Sequence, residues 1–324
     1  MNRTVETLWF ALRFSATAVL LASCNGDAGL QGPSLPRAAA TNLARSIAVR
    51  PSIAVHRDTR ASWISPDVKR ASRLLFVSDA GEEDVDIFSL PNLVLKGTIT
   101  GFSEPQGMCS GTGGTVWVAN TGTTQVFQLS RTGKFLSTID DAYGYPAGCA
   151  VNPTNGDVVV FNIFGFNSGG GSAYIYSCPS CTPTELTIPN FSFGFGGYDP
   201  AGNLFITGGR SSSGAGVIGE IPAGKTSGFV IKLRGGAIEF PGFVGWYKPG
   251  EYLAAADQLC NGKTASCIYW VKISGMHGKI IGHTDLLDAS GGQVCDMVQG
   301  VLDPGGDKNV SEAIITTVPP GQVL

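Results

Sequence analysis

The sequence predicts an all-β chain, a six-bladed β-propeller of four-stranded antiparallel blades, and three observations carry that expectation. A short apolar run ending on a polar or small residue recurs along the chain, closing on Asp79, Asn120, Asn162, Gly208, Asp257 and Thr317. These ends stand 41, 42, 46, 49 and 60 residues apart, close to the length of one four-stranded blade. The 324 residues include 45 glycines and 18 prolines but few long apolar helical runs, so many turns must join short strands. With 43% hydrophobic and 15% charged residues, the chain is long enough to bury a large core.

Taken in order, residues 1–24 read as an export signal, because Arg3 and Arg13 precede an apolar run over 14–21 that is too short to span a bilayer. The run ends Leu21-Ala22-Ser23-Cys24, which resembles the lipobox of bacterial lipoproteins. That resemblance implies cleavage before Cys24, lipid attachment to Cys24 and anchoring in the bacterial cell envelope, with the membrane as a partner through the acyl chains. Asn25 after the cysteine, rather than Asp, points to the outer membrane in organisms that use that sorting rule. Residues 25–45 are rich in Ala, Ser, Pro and Gly without a sustained period, as suits a flexible tether. The propeller domain is expected over 46–324.

Within that domain the stretch 145–162, YPAGCAVNPTNGDVVVFN, shows the repeated unit: a strand, a turn at Asn152-Pro153-Thr154-Asn155-Gly156-Asp157, and a β-branched second strand. It returns in altered form around Asp199-Pro200-Ala201-Gly202-Asn203 and Asp303-Pro304-Gly305-Gly306-Asp307. Outer hairpins follow the recurrent runs, over 84–90 with 95–99 and over 125–129 with 134–139, and alternate with period two. Lead-ins such as Glu104-Pro105-Gln106-Gly107, Tyr145-Pro146-Ala147-Gly148 and Phe240-Pro241-Gly242-Phe243 would start the innermost strands, where glycine lets backbones approach around a crowded axis. After Thr317 only 318–324 remain, too little for two outer strands. A strand over 46–56, with Ile47, Val49, Ile53 and Val55 alternating and Pro51 at a break, is therefore expected to close the last blade.

The stretches VWVANTGTTQVFQL over 116–129 and LFVSDAGEEDVDIFSL over 75–90 resemble the strand–turn–strand core of NHL repeats and of the wider six-bladed, TolB-like propeller superfamily. The resemblance covers roughly residues 62–324. It implies a fold and not one chemistry.

A net charge of −3 without a basic cluster leaves no electrostatic footprint for nucleic acid. Apart from Cys24, seven of the eight cysteines remain, in an exported chain where disulfides persist. Cys260 and Cys267 flank a short loop and are expected to pair, while Cys178 and Cys181 have C-x-x-C spacing without a helix N-terminus, as in a local disulfide staple. Cys109 and Cys149 either bridge adjacent blades or remain small buried thiols, with Cys295 the third cysteine of an innermost strand. Asp79, Asn120, Asn162 and Asp257 are the one ordered polar set. Oxygens of that kind converging on an axis would suit Ca²⁺, as in gluconolactonase-like propellers, whereas Asp or Asn after a strand also accepts N–H bonds from its own turn. The turn role is the stronger, and no cofactor motif is present.

There is no G-x-S-x-G, and His56, His277 and His283 lie in the tether or an outer hairpin, so no catalytic set is proposed. Phe164, Phe166, Phe191, Phe193, Phe195 and Tyr198 would form either a sugar- or peptide-binding rim or inter-blade core, with core favoured. The expected function is a lipid-anchored binding or scaffolding module offering its loop face to protein, peptide or glycan. The alternative is a metal-dependent gluconolactonase-like hydrolase or lyase working in the channel.

Overall fold

The computed structural model describes residues 61–71, 73–90, 92–166, 170–177, 179–247, 251–260, 266–286, 297–302 and 313–317. Those residues form six sheets, and in chain order each sheet uses successive strands. The first has β1 (Trp63–Ile64), β2 (Leu74–Asp79), β3 (Asp84–Ser89) and β4 (Val94–Thr100). The second has β5 (Pro105–Ser110), β6 (Val116–Asn120), β7 (Gln125–Leu129) and β8 (Phe135–Asp140). The third has β9 (Gly144–Val151), β10 (Val158–Gly165), β11 (Ser172–Tyr176) and β12 (Thr184–Glu185). The fourth has β13 (Phe191–Tyr198), β14 (Leu204–Arg210), β15 (Gly216–Ile221) and β16 (Phe229–Val230). The fifth has β17 (Lys232–Arg234), β18 (Pro241–Tyr247), β19 (Tyr252–Asp257), β20 (Cys267–Ser274) and β21 (His277–Asp285), and the last has β22 (Met297–Leu302) and β23 (Ala313–Thr317).

The continuous apolar runs of β6, β10, β14 and β19 have a direct cause: each lies in a strand covered on both faces, so alternate side chains enter two different cores. Val116 and Val118 pack toward the first sheet, while Trp117 points into the cluster shared with the third. Val158 and Val160 return that contact, and Val159 and Phe161 pack against Phe193, Leu204 and Ile206 of the fourth sheet. Phe205 then meets Leu253 and Ala255 of the fifth. The turns follow from side-chain oxygens: Asn152 Oδ1 accepts from Thr154 N at 2.9 Å, and Asp199 Oδ1 accepts from Asn203 N at 2.8 Å. Hydroxyls also tie one sheet to the lead-in of the next, Ser78 Oγ to Gln106 O at 2.6 Å, Thr121 Oγ1 to Pro146 O at 2.6 Å and Thr207 Oγ1 to Gly242 O at 2.5 Å.

Three features depart from a uniform four-stranded repeat. The fifth sheet gains β17, which pairs in parallel with β21, and the last sheet has two strands among the described residues. The upstream strand β1 joins the outer edge of the first sheet, Trp63 opposite Thr98 and Ile64 opposite Gly97, rather than the last. The expected closing strand over 46–56, the tether and the signal segment with Cys24 lie outside the described residues.

Candidate functional site

The axial strands β5, β9, β13, β18 and β22, together with β2, enclose a cavity of about 610 Å³. That volume falls in the range of small-molecule and peptide-fragment sites, roughly 300–1,000 Å³. Its walls are mainly apolar, with Leu75, Val77, Met108, Val151, Val244 and Trp246 among them, and Ser78, Gln106, Ser110 and Thr115 supply polar edges. Arg73 and Arg131 stand among the lining residues, and among the described residues no Asp or Glu does. Arg131 donates to the carbonyl of Ala71, which holds it beside the start of β2. Tyr198 also lines the cavity; burial, with the Asp157 charge adding, pushes its phenol well above the usual range, so it stays a neutral hydrogen-bonding group.

The cavity wall carries a covalent tie. Cys109 of β5 and Cys149 of β9 form a disulfide with Cα atoms 5.5 Å apart. Cys260 and Cys267 form a second, 5.6 Å between Cα atoms, with both residues buried in the fourth–fifth sheet core. Cys181 is disulfide-bonded, while Cys178, Cys295 and Cys24 lie outside the described residues.

The set Asp79, Asn120, Asn162 and Asp257 does not line this cavity. Asp79 Oδ1 accepts from Gly81 N at 2.8 Å and Glu82 N at 3.0 Å, within its own turn. Asn120 Oδ1 accepts from Ser103 N at 2.7 Å, and the Asp257 carboxylate accepts from Glu239 N, Phe240 N and Leu259 N at 2.9, 2.9 and 3.0 Å. The Asn120 and Asp257 oxygens clamp the loop that leads into the innermost strand, and among the described residues no group of three or more His, Cys, Asp or Glu is placed to hold a metal. The Asp79, Asn120 and Asp257 side chains are thus engaged in turns and loop clamps rather than gathered at the cavity.

Asn162 stands in a different setting, beside Asp141. Both are buried, and among the described residues Asp141 Oδ2, both amide atoms of Asn162 and Ser172 Oγ have no hydrogen-bond partner within bonding geometry. Asp141 Oδ1 accepts from Tyr176 Oη and Tyr143 N, each at 3.1 Å. Burial pushes the Asp141 carboxyl up despite the Tyr143 and Tyr176 donors, because burying the charge costs more than they return. Asp141 escaped sequence reasoning; its one local signal is a loop carboxylate just before Tyr143, which stacks on Tyr174 at 4.3 Å.

The aromatic group is divided. Phe191 and Phe193 are buried in the third–fourth sheet core with rings 5.1 Å apart, Phe166 is exposed with its ring edge-on to Tyr145, and Tyr198 reaches the cavity, so the six do not form one rim. His277 and His283 lie on β21, an outer strand, where His283 Nε2 is 3.4 Å from Asp285.

No protein-family model matches the chain, and neither does any curated protein sequence. Solved structures do. Hydrazine synthase of Kuenenia stuttgartiensis superposes with a TM-score of 0.53 at 14% identity, over 75% of this chain and 70% of that one. A catalytically inactive variant of virginiamycin B lyase from Staphylococcus aureus with quinupristin gives 0.50 at 13% identity, over 71% of each chain. The chain folds as a β-propeller. At such identities the likeness extends to the fold and no further.

Proposed function

We propose that this protein is an exported, lipid-anchored binding module of the bacterial cell envelope whose axial cavity takes a ligand with an apolar body and one anionic group. The observation that supports it is the cavity itself: apolar walls, two guanidinium groups and no carboxylate among the described lining residues. Guanidinium groups beside apolar walls can pair with an anion while the walls bury the apolar body of the ligand. Anchoring through Cys24 would hold that cavity at the membrane surface. The hydrolase or lyase alternative draws no support from the strand-end acids, since their oxygens are engaged in turns away from the cavity.

Titration with the apolar sulfonate 8-anilinonaphthalene-1-sulfonate tests the proposal. Saturable fluorescence enhancement is expected for the parent protein, with affinity at least about tenfold lower in Val77→Trp, which fills the cavity, and in Arg73→Ala, which removes a cation. Equal affinity in all three proteins would place the probe elsewhere and overturn it.

A further inference from the structure

We infer that the hairpin tips of the first two sheets form a docking surface for an anionic lipid bilayer, with Leu93, Val94, Leu95, Phe135 and Leu136 entering the headgroup layer and Lys69, Lys96 and Lys134 meeting the phosphates. The inference goes beyond the axial cavity and holds whether or not that cavity takes a ligand. The turn between β3 and β4 and the turn between β7 and β8 occupy corresponding positions, because β2 and β6 carry corresponding apolar runs. Both tips therefore lie at one end of the propeller. Contacts tie the second tip to the first sheet: a Cβ built on Gly133 would meet Ile64 Cδ1 at 2.6 Å and Ile99 Cδ1 at 2.9 Å, and Arg131 donates to the carbonyl of Ala71.

The tips are apolar where turn chemistry is ordinarily polar. Leu93, Val94, Leu95, Phe135 and Leu136 are each 38–51% exposed, so five large apolar side chains project where burial would stabilise them. The fourth strands of the later sheets begin differently: Thr184-Glu185 of β12 is polar, Phe229-Val230 of β16 is half-buried, and β21 has the single exposed Met276 before His277. Leu93 also holds φ at 51°, a left-handed conformation that costs a bulky side chain more than it would cost Asn or Gly. Strain of that kind collects at binding sites.

Charge selects the occupant. Residues 65–73, 92–96 and 130–137 hold six of the chain's 22 Lys and Arg residues and one acid, Asp67, which Arg70 pairs, although the whole chain carries a net charge of −3. Lys69 and Lys134 are exposed, and the Lys96 carbonyl accepts from Ser65 N at 2.7 Å, which fixes the turn bearing Lys69 against the base of the first tip. Protein interfaces are poor in lysine, whereas lysines beside projecting aliphatic and aromatic side chains match a layer of phosphates over acyl chains. The chain enters the domain at β1, which pairs with β4, and the 36 residues over 25–60 reach at most about 130 Å. An anchor at Cys24 would hold the tips near the bilayer at high effective concentration, so a patch of this size suffices.

Hydrogen–deuterium exchange tests this on the full chain carrying Cys24→Ala, so that no acyl chain contributes. Amide exchange at residues 92–96 and 133–137 is expected to slow at least about threefold with vesicles of mixed phosphatidylglycerol and phosphatidylcholine, and much less with phosphatidylcholine alone or at high salt. The corresponding turn over 222–228 should keep its rate. Val94→Asp with Phe135→Asp alters exposed side chains and should abolish the slowing at both tips, and Lys69→Glu with Lys134→Glu should reduce it. If the tips exchange equally fast with and without anionic vesicles while the protein still floats with them through its N-terminal segment, the domain does not dock and the inference fails. If the tips are already slow without vesicles, protein covers them. Slowing that grows with protein concentration would then identify a second copy, and slowing relieved by deletion of residues 25–56 would identify the chain's own segment. Either result overturns the choice of a bilayer.

Discussion

Gly196→Ala probes the contact between the third and fourth sheets at the wall of the cavity. Gly196 lies in β13, and a Cβ built there meets Phe161 Cζ at 2.2 Å and two further ring carbons at 2.8 and 3.0 Å. Favourable carbon contacts lie at roughly 3.5–4.0 Å, so the ring would have to retreat by more than 1 Å. It has nowhere to go, because Phe161 is fully buried among Ile206, Leu186 and Phe193. Gly196 needs no left-handed backbone, so alanine itself recovers about 0.5–1 kcal/mol through the unfolded chain. Overpacking costs about 1–3 kcal/mol, which at the middle of both ranges leaves a net loss of about 1 kcal/mol. Phe161→Leu, destabilising alone, removes the clashing ring, so the double variant should be more stable than the sum of the singles by about 1 kcal/mol. Urea unfolding followed by tryptophan fluorescence measures all four corners of the cycle. Additivity within about 0.3 kcal/mol, or a Gly196→Ala protein as stable as the parent, would refute the packing account.

The two disulfides should differ in worth, since closing the longer loop, 40 residues apart at Cys109–Cys149, removes about 4 kcal/mol of unfolded-chain entropy against about 2.5 kcal/mol for the separation of 7 at Cys260–Cys267. Paired Cys→Ala variants compared by urea midpoint test this, and a larger loss at Cys260–Cys267 would show that buried packing outweighs loop closure. Asp141→Asn should change the pH dependence. A carboxyl raised by burial holds its proton in the folded state at pH values where the unfolded chain has lost it, so parent stability falls as pH rises from the ordinary value of 3.8 through the raised one. The Asn variant should therefore gain on the parent as pH rises above the ordinary carboxyl value of 3.8, each tenfold change in proton affinity being worth about 1.4 kcal/mol, and a parent advantage that grows with pH would contradict the assignment. Cys24→Ala should leave the protein unprocessed or released from the membrane fraction, and mass spectrometry showing an unmodified mature N-terminus at another residue would remove the lipid anchor from the account.

Much of the fold was legible because strands and turns are local. The runs ending on Asp79, Asn120, Asn162, Gly208, Asp257 and Thr317 coincide with β2, β6, β10, β14, β19 and β23, since a β-branched stretch followed by Asn, Asp or Gly turn chemistry has few other conformations open to it. Cys260 and Cys267 were readable as a pair for the same reason, being neighbours across one short loop. What a strand faces is not local. Whether Asp257 reaches toward the axis or back to Glu239 N and Phe240 N depends on where a loop some 17 residues upstream comes to rest. Burial of Asp141 with Asn162 requires the second and third sheets to close on each other, and Phe191 and Phe166 part company for the same cause. The corner of Arg73 and Arg131 joins residues 58 positions apart in sequence that no periodicity links.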